Sequence, residues 1–390
     1  MPRRAREIRG LTTESKRNTV AVIDSGIGSG MPVTGGTRGE RGERSPLQTR
    51  RRVTIDDIAR HAGVTKTTVS RALNARPDVN PETRDRISEI AERLGYVPSA
   101  TAKVLRTGRS HTMGMALPSF TWPGILEILR GVSDVLDALG YQVTLFPLTR
   151  GEEAERDLVF RVMPSLQMDG LILILPPGML RYIGELASRG VPVVLIDDRV
   201  EHRDRDFPSV GTTNVSGARA ITRHLLQLGR RRIAIITGPD AQDVSKNRLE
   251  GYRLALEEAG VPFRQELVVG GNFEPPSGQA AVESLLASGQ RFDAVFASND
   301  QMALGALRGL HAAGVCVPHD IALAGFDDDH AGRYTIPSLT TVHQPLYEMG
   351  SAAARTVVAA AEGQASERHI EIPARLVVRE SCGAGGERSS

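Results

Sequence analysis

The sequence predicts an α/β protein, with a small all-α unit near the N-terminus followed by two Rossmann-like lobes on parallel sheets. Three observations predict it. Short helices with recognisable caps run from Thr54 to Gly95. From Thr112 onward, apolar runs of strand length alternate with amphipathic helical stretches, the pattern of parallel sheets covered by helices on both faces. That region spans about 280 residues, twice the length of one such unit, so two similar lobes with a cleft between them is the economical arrangement.

Residues 1–52 read as a disordered arm, because Gly35 to Arg44 is rich in glycine and charge and has no apolar period. Residues 53–98 form the helical unit, 99–110 a linker, 111–382 the two-lobed body and 383–390 a flexible tail. Thr54 caps the first helix, with Asp56 and Asp57 in its first turn. Gly63 permits the turn to a second helix capped by Thr65. Asn80-Pro81 opens the third, a cap followed by proline at the first helical position. Ile87, Ile90, Ala91 and Leu94 then share one face, and Gly95 ends the helix.

In the body, the expected strands are Thr112–Leu117, Gln142–Phe146, Gly170–Leu175, Val191–Ile196, Arg232–Thr237, Glu266–Val269, Asp293–Ala297 and Asp320–Gly325. Helices are expected at Ile125–Leu139, Ser216–Leu228, Arg248–Ala259, Gln279–Ala287 and Met302–Ala313.

Composition narrows the function. No run of about 18 apolar residues exists, so no membrane-spanning helix is expected. The Arg-rich N-terminus lacks an apolar signal core, which points to the cytoplasm. Cys316 and Cys382 lie far apart with no metal spacing and read as two reduced thiols. The net charge of +2 hides an asymmetry: residues 1–110 carry 22 Lys/Arg against 12 Asp/Glu, and the remainder carries 26 against 34. A basic front end on an acidic body points to a polyanion partner for the front end alone.

The first two helices, joined through Ala62-Gly63-Val64, make a helix-turn-helix. In the second, Val69, Ala72 and Leu73 face inward, while Lys66, Thr67 and Arg71 project outward. Arginine pairs in bidentate fashion with guanine O6 and N7, and lysine reaches the same acceptors. Thr65, Ser70 and Asn74 are short polar groups suited to phosphate oxygens, and Thr68 joins them as a DNA-binding candidate. A plain solvated helix face is the competing reading. The run Val53-Thr54-Ile55-Asp56-Asp57-Ile58-Ala59, Gly63-Val64-Thr65, Thr68-Val69-Ser70-Arg71-Ala72-Leu73-Asn74, Val79-Asn80-Pro81-Glu82-Thr83-Arg84 and Leu94-Gly95-Tyr96-Val97-Pro98 resembles the headpiece of the LacI/GalR repressors. The resemblance puts Lys66, Thr67 and Arg71 on base-reading positions. It also makes Ser99 to Ser110 similar to a hinge helix that orders on operator DNA. Leu105 would then wedge into the minor groove, flanked by Arg106.

The resemblance continues over residues 111–382 and implies a periplasmic-binding-protein-like pair of lobes with a small-molecule effector between them. Polar residues at strand ends are candidates on general grounds, since ligands sit where strand C-termini open into a crevice. Asp197, Asn299 and Asp327 follow strands, and Arg248 opens a helix. The resemblance assigns effector contacts to Arg248, Asn299, Asp327 and Gln344, and also to Asp197. Ser119 and Trp122 complete the candidate set near the first strand's end, Trp122 as a platform for a sugar face. The family often has Asn-Pro-Phe here, whereas this chain has Phe120-Thr121-Trp122-Pro123-Gly124, which puts the ligand's identity in question. Helix capping remains the alternative for each acid and amide, and lobe packing for Trp122.

A polyhydroxylated effector suits an Asp/Asn/Arg set, and release of DNA by a sugar is favoured over a nucleobase corepressor because aromatic residues are few. A sugar-carrying transport protein is the rival from another class. An enzyme is not expected. Thr19 to Gly26 resembles the aspartate segment of subtilisin-like proteases, but no histidine or serine segment completes a triad. Gly26-Ile27-Gly28-Ser29-Gly30 is a weak dinucleotide-motif echo followed by Pro32. Asp327-Asp328-Asp329-His330 lacks metal-site spacing, so neither metal nor cofactor is expected. One headpiece reads too few bases to find a site in a genome, which points to a homodimer on a palindromic operator. The tail has no apolar heptad for a coiled coil.

Overall fold

A computed structural model describes residues 53–96, 108–117, 122–148, 156–163, 168–174, 180–196, 207–365 and 367–384. The chain divides into two compact units, the first ending at Ser110 and the second beginning at His111.

Among the described residues, the first unit has three helices, α1 (Ile55–Ala62), α2 (Lys66–Leu73) and α3 (Pro81–Leu94). The caps are those expected. Thr54 and Asp57 form a reciprocal capping box. Gly63 adopts φ 64° at the end of α1, a left-handed conformation that favours glycine. Asn80 accepts from the Glu82 N–H ahead of Pro81. Ile58, Val69 and Ile87 are fully buried, one from each helix, and hold the three together. Burying a side chain of this kind stabilises by about 1.5–3 kcal/mol.

The second unit contains two parallel sheets. Its first lobe carries β1 (Thr112–Leu117), α4 (Gly124–Ala138), β2 (Gln142–Pro147), β3 (Gly170–Ile174), α5 (Leu180–Ser188), β4 (Val193–Ile196) and β5 (Ser209–Thr212). The second lobe carries α6 (Asn214–Gln227), β6 (Ile233–Thr237), α7 (Asp243–Glu258), β7 (Val268–Gly270), α8 (Pro275–Ala287), β8 (Ala294–Ala297), α9 (Asp300–Ala312) and β9 (Ala322–Ala324). The chain then forms β10 (Thr341–His343), α10 (Leu346–Ala361), β11 (His369–Ile372) and β12 (Arg375–Val377).

Strand order is β11-β5-β4-β3-β1-β2 in the six-stranded sheet and β7-β6-β8-β9 in the four-stranded one, and β10 pairs with β12 antiparallel. The lobes are therefore discontinuous in sequence. After the second lobe, α10 returns to pack on α4 in the first, and β11 joins that lobe's sheet beside β5. The α4–α10 approach is backbone to backbone. A Cβ on Gly131 would lie 2.1 Å from the Tyr347 carbonyl oxygen, so only glycine fits there.

Several boundaries differ from the sequence expectation, each for a local reason. The strand expected from Glu266 starts at Val268, because Gln265–Leu267 is a 3-10 turn. The strand expected from Asp320 starts at Ala322, since the Asp320 and Ile321 N–H groups both turn back to the Cys316 carbonyl. Val191 closes the end of α5 through the Leu186 carbonyl instead of opening β4. Arg248 does not open a helix: α7 begins at Asp243 and Arg248 lies inside it. Strands β5, β10, β11 and β12 were not expected: they are three or four residues long and carry polar residues such as Ser209, Thr341, His369 and Arg375 instead of an apolar run.

Candidate functional site

In the first unit, α2 presents a polar surface. Thr65 caps the helix by accepting the Thr68 N–H at 3.2 Å, and the two hydroxyls lie 2.9 Å apart. Asn74 closes the other end, its Nδ2 donating to the Ser70 carbonyl at 2.6 Å. These side chains therefore shape the helix ends as well as lining its outer surface. Lys66, Thr67 and Arg71 are exposed, as their spacing predicts. Lys66 Nζ pairs with Asp56 Oδ2 at 2.6 Å, and Arg71 Nη1 with Asp78 Oδ2 at 3.1 Å. The sequence pointed to Asp56 only as a first-turn acid of α1, and it gave no role to Asp78. Leu105 and Arg106 lie outside the described residues.

The second unit has a cleft between its lobes, a cavity of ≈ 200 Å³. Its two walls differ in chemistry. Ile174, Ile196, Leu346, Met349 and Trp122 come from the first-lobe side. Arg248, Asn299, Asp327 and Gln344 come from the second lobe and its crossing segment. The structure thus brings together five of the seven residues singled out for the cleft, while Ser119 and Asp197 lie outside the described residues.

Asp327 is the centre of the polar wall. It is buried and sits at φ 129°, a backbone conformation that disfavours any side chain. Cross-chain bonds hold it there: its N–H donates to the Val342 carbonyl at 2.8 Å, and its carbonyl accepts from the Gln344 N–H at 3.3 Å. Its carboxylate lies 3.5 Å from Arg248 Nη1 and accepts from Gln344 Nε2 at 2.5 Å. The Trp122 indole N–H also donates to it, linking the two walls. Burial pushes the Asp327 carboxyl up to about 7, against the opposing pull of Arg248. Arg248 is itself buried. It donates from Nε to Asn214 Oδ1 at 2.9 Å and from Nη1 to the Ser298 carbonyl, and it stacks 3.8 Å from the centre of the Phe326 ring.

Asn299 does what the capping alternative required: its Oδ1 accepts the Met302 N–H at 2.9 Å at the start of α9. Its Nδ2 donates to the Phe273 carbonyl at 3.0 Å, so the same residue anchors a second loop against the cleft. Sequence reasoning missed Asn214, Asn272, Phe273, Glu274 and Gln301, which also line the cavity. They stand on segments brought together only by the fold, and Asn214 and Gln301 had a usable signal, their positions at strand-to-helix junctions.

The Asp327–His330 run does not converge on one point. Asp328 binds Arg333 at 3.0 Å, His343 at 3.1 Å and Arg379 at 2.5 Å. Burial alone would raise its carboxyl, but these partners outweigh burial and hold it far below the usual range. Asp329 accepts from Gln301 Nε2 at 2.8 Å, and His330 packs against Tyr334. Asp300, fully buried behind Asp327, accepts from the Thr341 hydroxyl at 2.6 Å and the Asp329 N–H at 2.8 Å. Burial and the neighbouring Asp327 push it well above the usual carboxylate range.

Residues 54–99 match the family described as bacterial regulatory proteins, lacI family, and residues 222–382 match the periplasmic binding protein-like domain. The chain is 34% identical over 337 residues to the ribose operon repressor of Halalkalibacterium halodurans, covering 86% of this chain and 98% of that one. The chain belongs to the lacI family.

Members of the lacI family among its relatives include the HTH-type transcriptional regulator CelR of Thermobifida fusca, 35% identical over 86% of this chain and all of the other. Among solved structures, the lac repressor dimer bound to operator and the anti-inducer ONPF superposes with a TM-score of 0.78 at 28% identity, covering 85% of this chain and 99% of that one. A transcriptional regulator CelR-cellobiose complex gives 0.66 at 33% identity, over 85% of this chain and all of that one. As a lacI-family protein, the chain is a DNA-binding transcriptional regulator with a small-molecule effector domain, and its relatives are regulators, not enzymes. No helix among the described residues is long and apolar enough to cross a membrane.

Proposed function

We propose that this chain is a repressor that binds a palindromic operator as a homodimer and releases it when an uncharged sugar enters the cleft. One observation carries the effector reading: the buried Asp327 carboxylate, fixed by Arg248 and Gln344, faces an apolar wall. Sugar rings match such walls, with hydroxyls on the rim and C–H groups on the face. Arg248 is the one cation among the described lining residues, and Asp327, Asn214 and the Ser298 carbonyl already engage it. A phosphorylated ligand would find no uncommitted cation there and would meet the acids Glu274 and Asp327. The ribose and cellobiose named for relatives fit this chemistry.

In this reading residues 53–98 are the headpiece, 99–110 the hinge with Leu105 and Arg106 on DNA, and 111–382 the body. Ser119 and Asp197 complete the effector contacts. Lys66, Thr67 and Arg71 read bases, while Thr65, Thr68, Ser70 and Asn74 face phosphates. The dimer forms through the body, where Tyr334 and Ile336 stand 73% and 95% exposed on the second lobe. Effector binding changes the separation of the two hinges, so that they cannot both pack in the minor groove. Coupling of this kind amounts to about 1–3 kcal/mol.

The experiment is a thermal-shift screen of ribose, glucose and cellobiose against glucose 6-phosphate and hypoxanthine, followed by DNA binding with each hit. An uncharged sugar is expected to raise the melting temperature and weaken operator binding. Hypoxanthine is included to test the nucleobase alternative, because Trp122 and Phe273, two rings able to stack on a base, both line the cavity. Tighter operator binding with hypoxanthine would replace the sugar reading with a corepressor one.

A further inference from the structure

We propose that Asp78 is a positioning residue for DNA recognition, its carboxylate aiming the Arg71 guanidinium at a base edge. The proposal rests on the reading of Arg71 as a base contact.

The carboxylate has no obvious place on this surface. A negative charge beside the recognition helix repels the DNA phosphates, so its general electrostatic effect opposes binding. Yet Asp78 sits against the recognition arginine, with Oδ2 at 3.1 Å from Arg71 Nη1. The two residues also line one shallow depression together with Ser70, Asn74, Arg76 and Pro77.

The turn that carries Asp78 is braced. Ala75 adopts φ 52°, and its N–H donates to the Ala72 carbonyl at 3.0 Å. The Arg76 N–H donates to the Arg71 carbonyl at 3.0 Å, tying the turn to the arginine's own backbone. From α3, Arg84 Nη2 reaches back to the Arg76 carbonyl at 2.9 Å and the Val79 carbonyl at 3.3 Å. Val79, next to Asp78, is buried in the three-helix core. The carboxylate is therefore displayed from a fixed point.

An exposed arginine samples many rotamers, and pairing with a base requires one of them. A carboxylate on a braced turn selects that set before DNA arrives. The contact engages one terminal nitrogen, and a guanine pair uses two donors of the same planar fork. Lys66 has a comparable partner in Asp56 at 2.6 Å, but an ammonium is a point charge with no plane to orient, so the same argument does not extend to it.

The test uses the full chain and the duplex it selects from a random pool. Arg71→Ala identifies the base pair at which discrimination depends on Arg71. Asp78→Asn and Asp78→Glu are then measured on duplexes altered at that pair and at other pairs, with Glu89→Gln as a control for removing an exposed headpiece acid. Exposed ion pairs are weak, so the expected effect of Asp78→Asn is a roughly two- to fivefold loss of discrimination at that one pair. Asp78→Glu should retain most of it, and Glu89→Gln all of it. Full discrimination in Asp78→Asn, or a loss spread evenly over all pairs, would overturn the proposal while leaving Arg71 as the reader. Unchanged preference in Arg71→Ala would remove both readings together.

Discussion

Replacing Arg248 by alanine removes the counter-charge of a buried carboxylate, and the structure sets the size and pH dependence of the result. Arg248 and Asp327 are both almost wholly buried, and their closest approach is 3.5 Å. Breaking one side of a buried pair costs about 3–5 kcal/mol, because the remaining charge is stranded. Asp327 escapes part of that by taking up a proton. Its carboxyl already stands at about 7 against an ordinary value of 3.8. An acid raised in the folded state lowers stability as pH climbs from its unfolded value through its folded one, because the folded state holds the extra proton. For Asp327 that window is 3.8 to about 7, and the full shift corresponds to on the order of 4 kcal/mol above it. Without Arg248 the folded value moves higher still, so the window extends upward. Asp300 gives a pH dependence of the same sign, and because the Asp327 charge is one of the causes that raise it, the two carboxyls titrate as a linked pair in both proteins.

The expectation is therefore that Arg248→Ala destabilises the body more at pH 8 than at pH 6. Adding Asp327→Asn should recover part of the loss and flatten the difference. Calorimetry at the two pH values on wild type, both single variants and the double variant measures this. Operator binding should persist in Arg248→Ala while the response to a sugar found in the screen disappears. Equal destabilisation at both pH values, with no recovery in the double variant, would refute the argument that Asp327 is the group left stranded.

Three further outcomes are expected. Asn299→Ala removes the cap of α9 and the tie to Phe273, and should lower stability by about 1–2 kcal/mol in urea denaturation. Ile336→Glu, at a position 95% exposed, should leave the melting temperature nearly unchanged and weaken self-association in sedimentation. Operator affinity should fall linearly on a log–log plot against salt, with a slope set by the phosphates neutralised; a flat profile would contradict a basic headpiece surface on DNA.

Much of the headpiece was legible because its determinants are local. Thr54 with Asp57, Gly63, Thr65 and Asn80-Pro81 each act within one turn of chain, and each does in the structure what its type and spacing predict. The cleft was half legible. Asn299 and Asp327, which follow the apolar runs of β8 and β9, were found because the end of such a run is visible in the sequence. Asn272 and Glu274 were not, since nothing nearby in the chain says which cavity their segment meets. Asp78 belongs to the same class, an exposed acid in a turn until the fold sets it against Arg71.

By itself the sequence determined the three capped helices, the alternation that makes two parallel sheets, and the face of α2 that carries Lys66 and Arg71. Periodicity and capping are short-range, and a few neighbouring residues suffice to specify them. Only the tertiary structure decided that α10 and β11 return to the first lobe, and that Asp327 sits strained and buried between Arg248, Gln344 and Trp122. Those outcomes depend on contacts between segments far apart in the chain, and the burial that raises Asp327 to about 7 exists only once both walls of the cleft have closed around it.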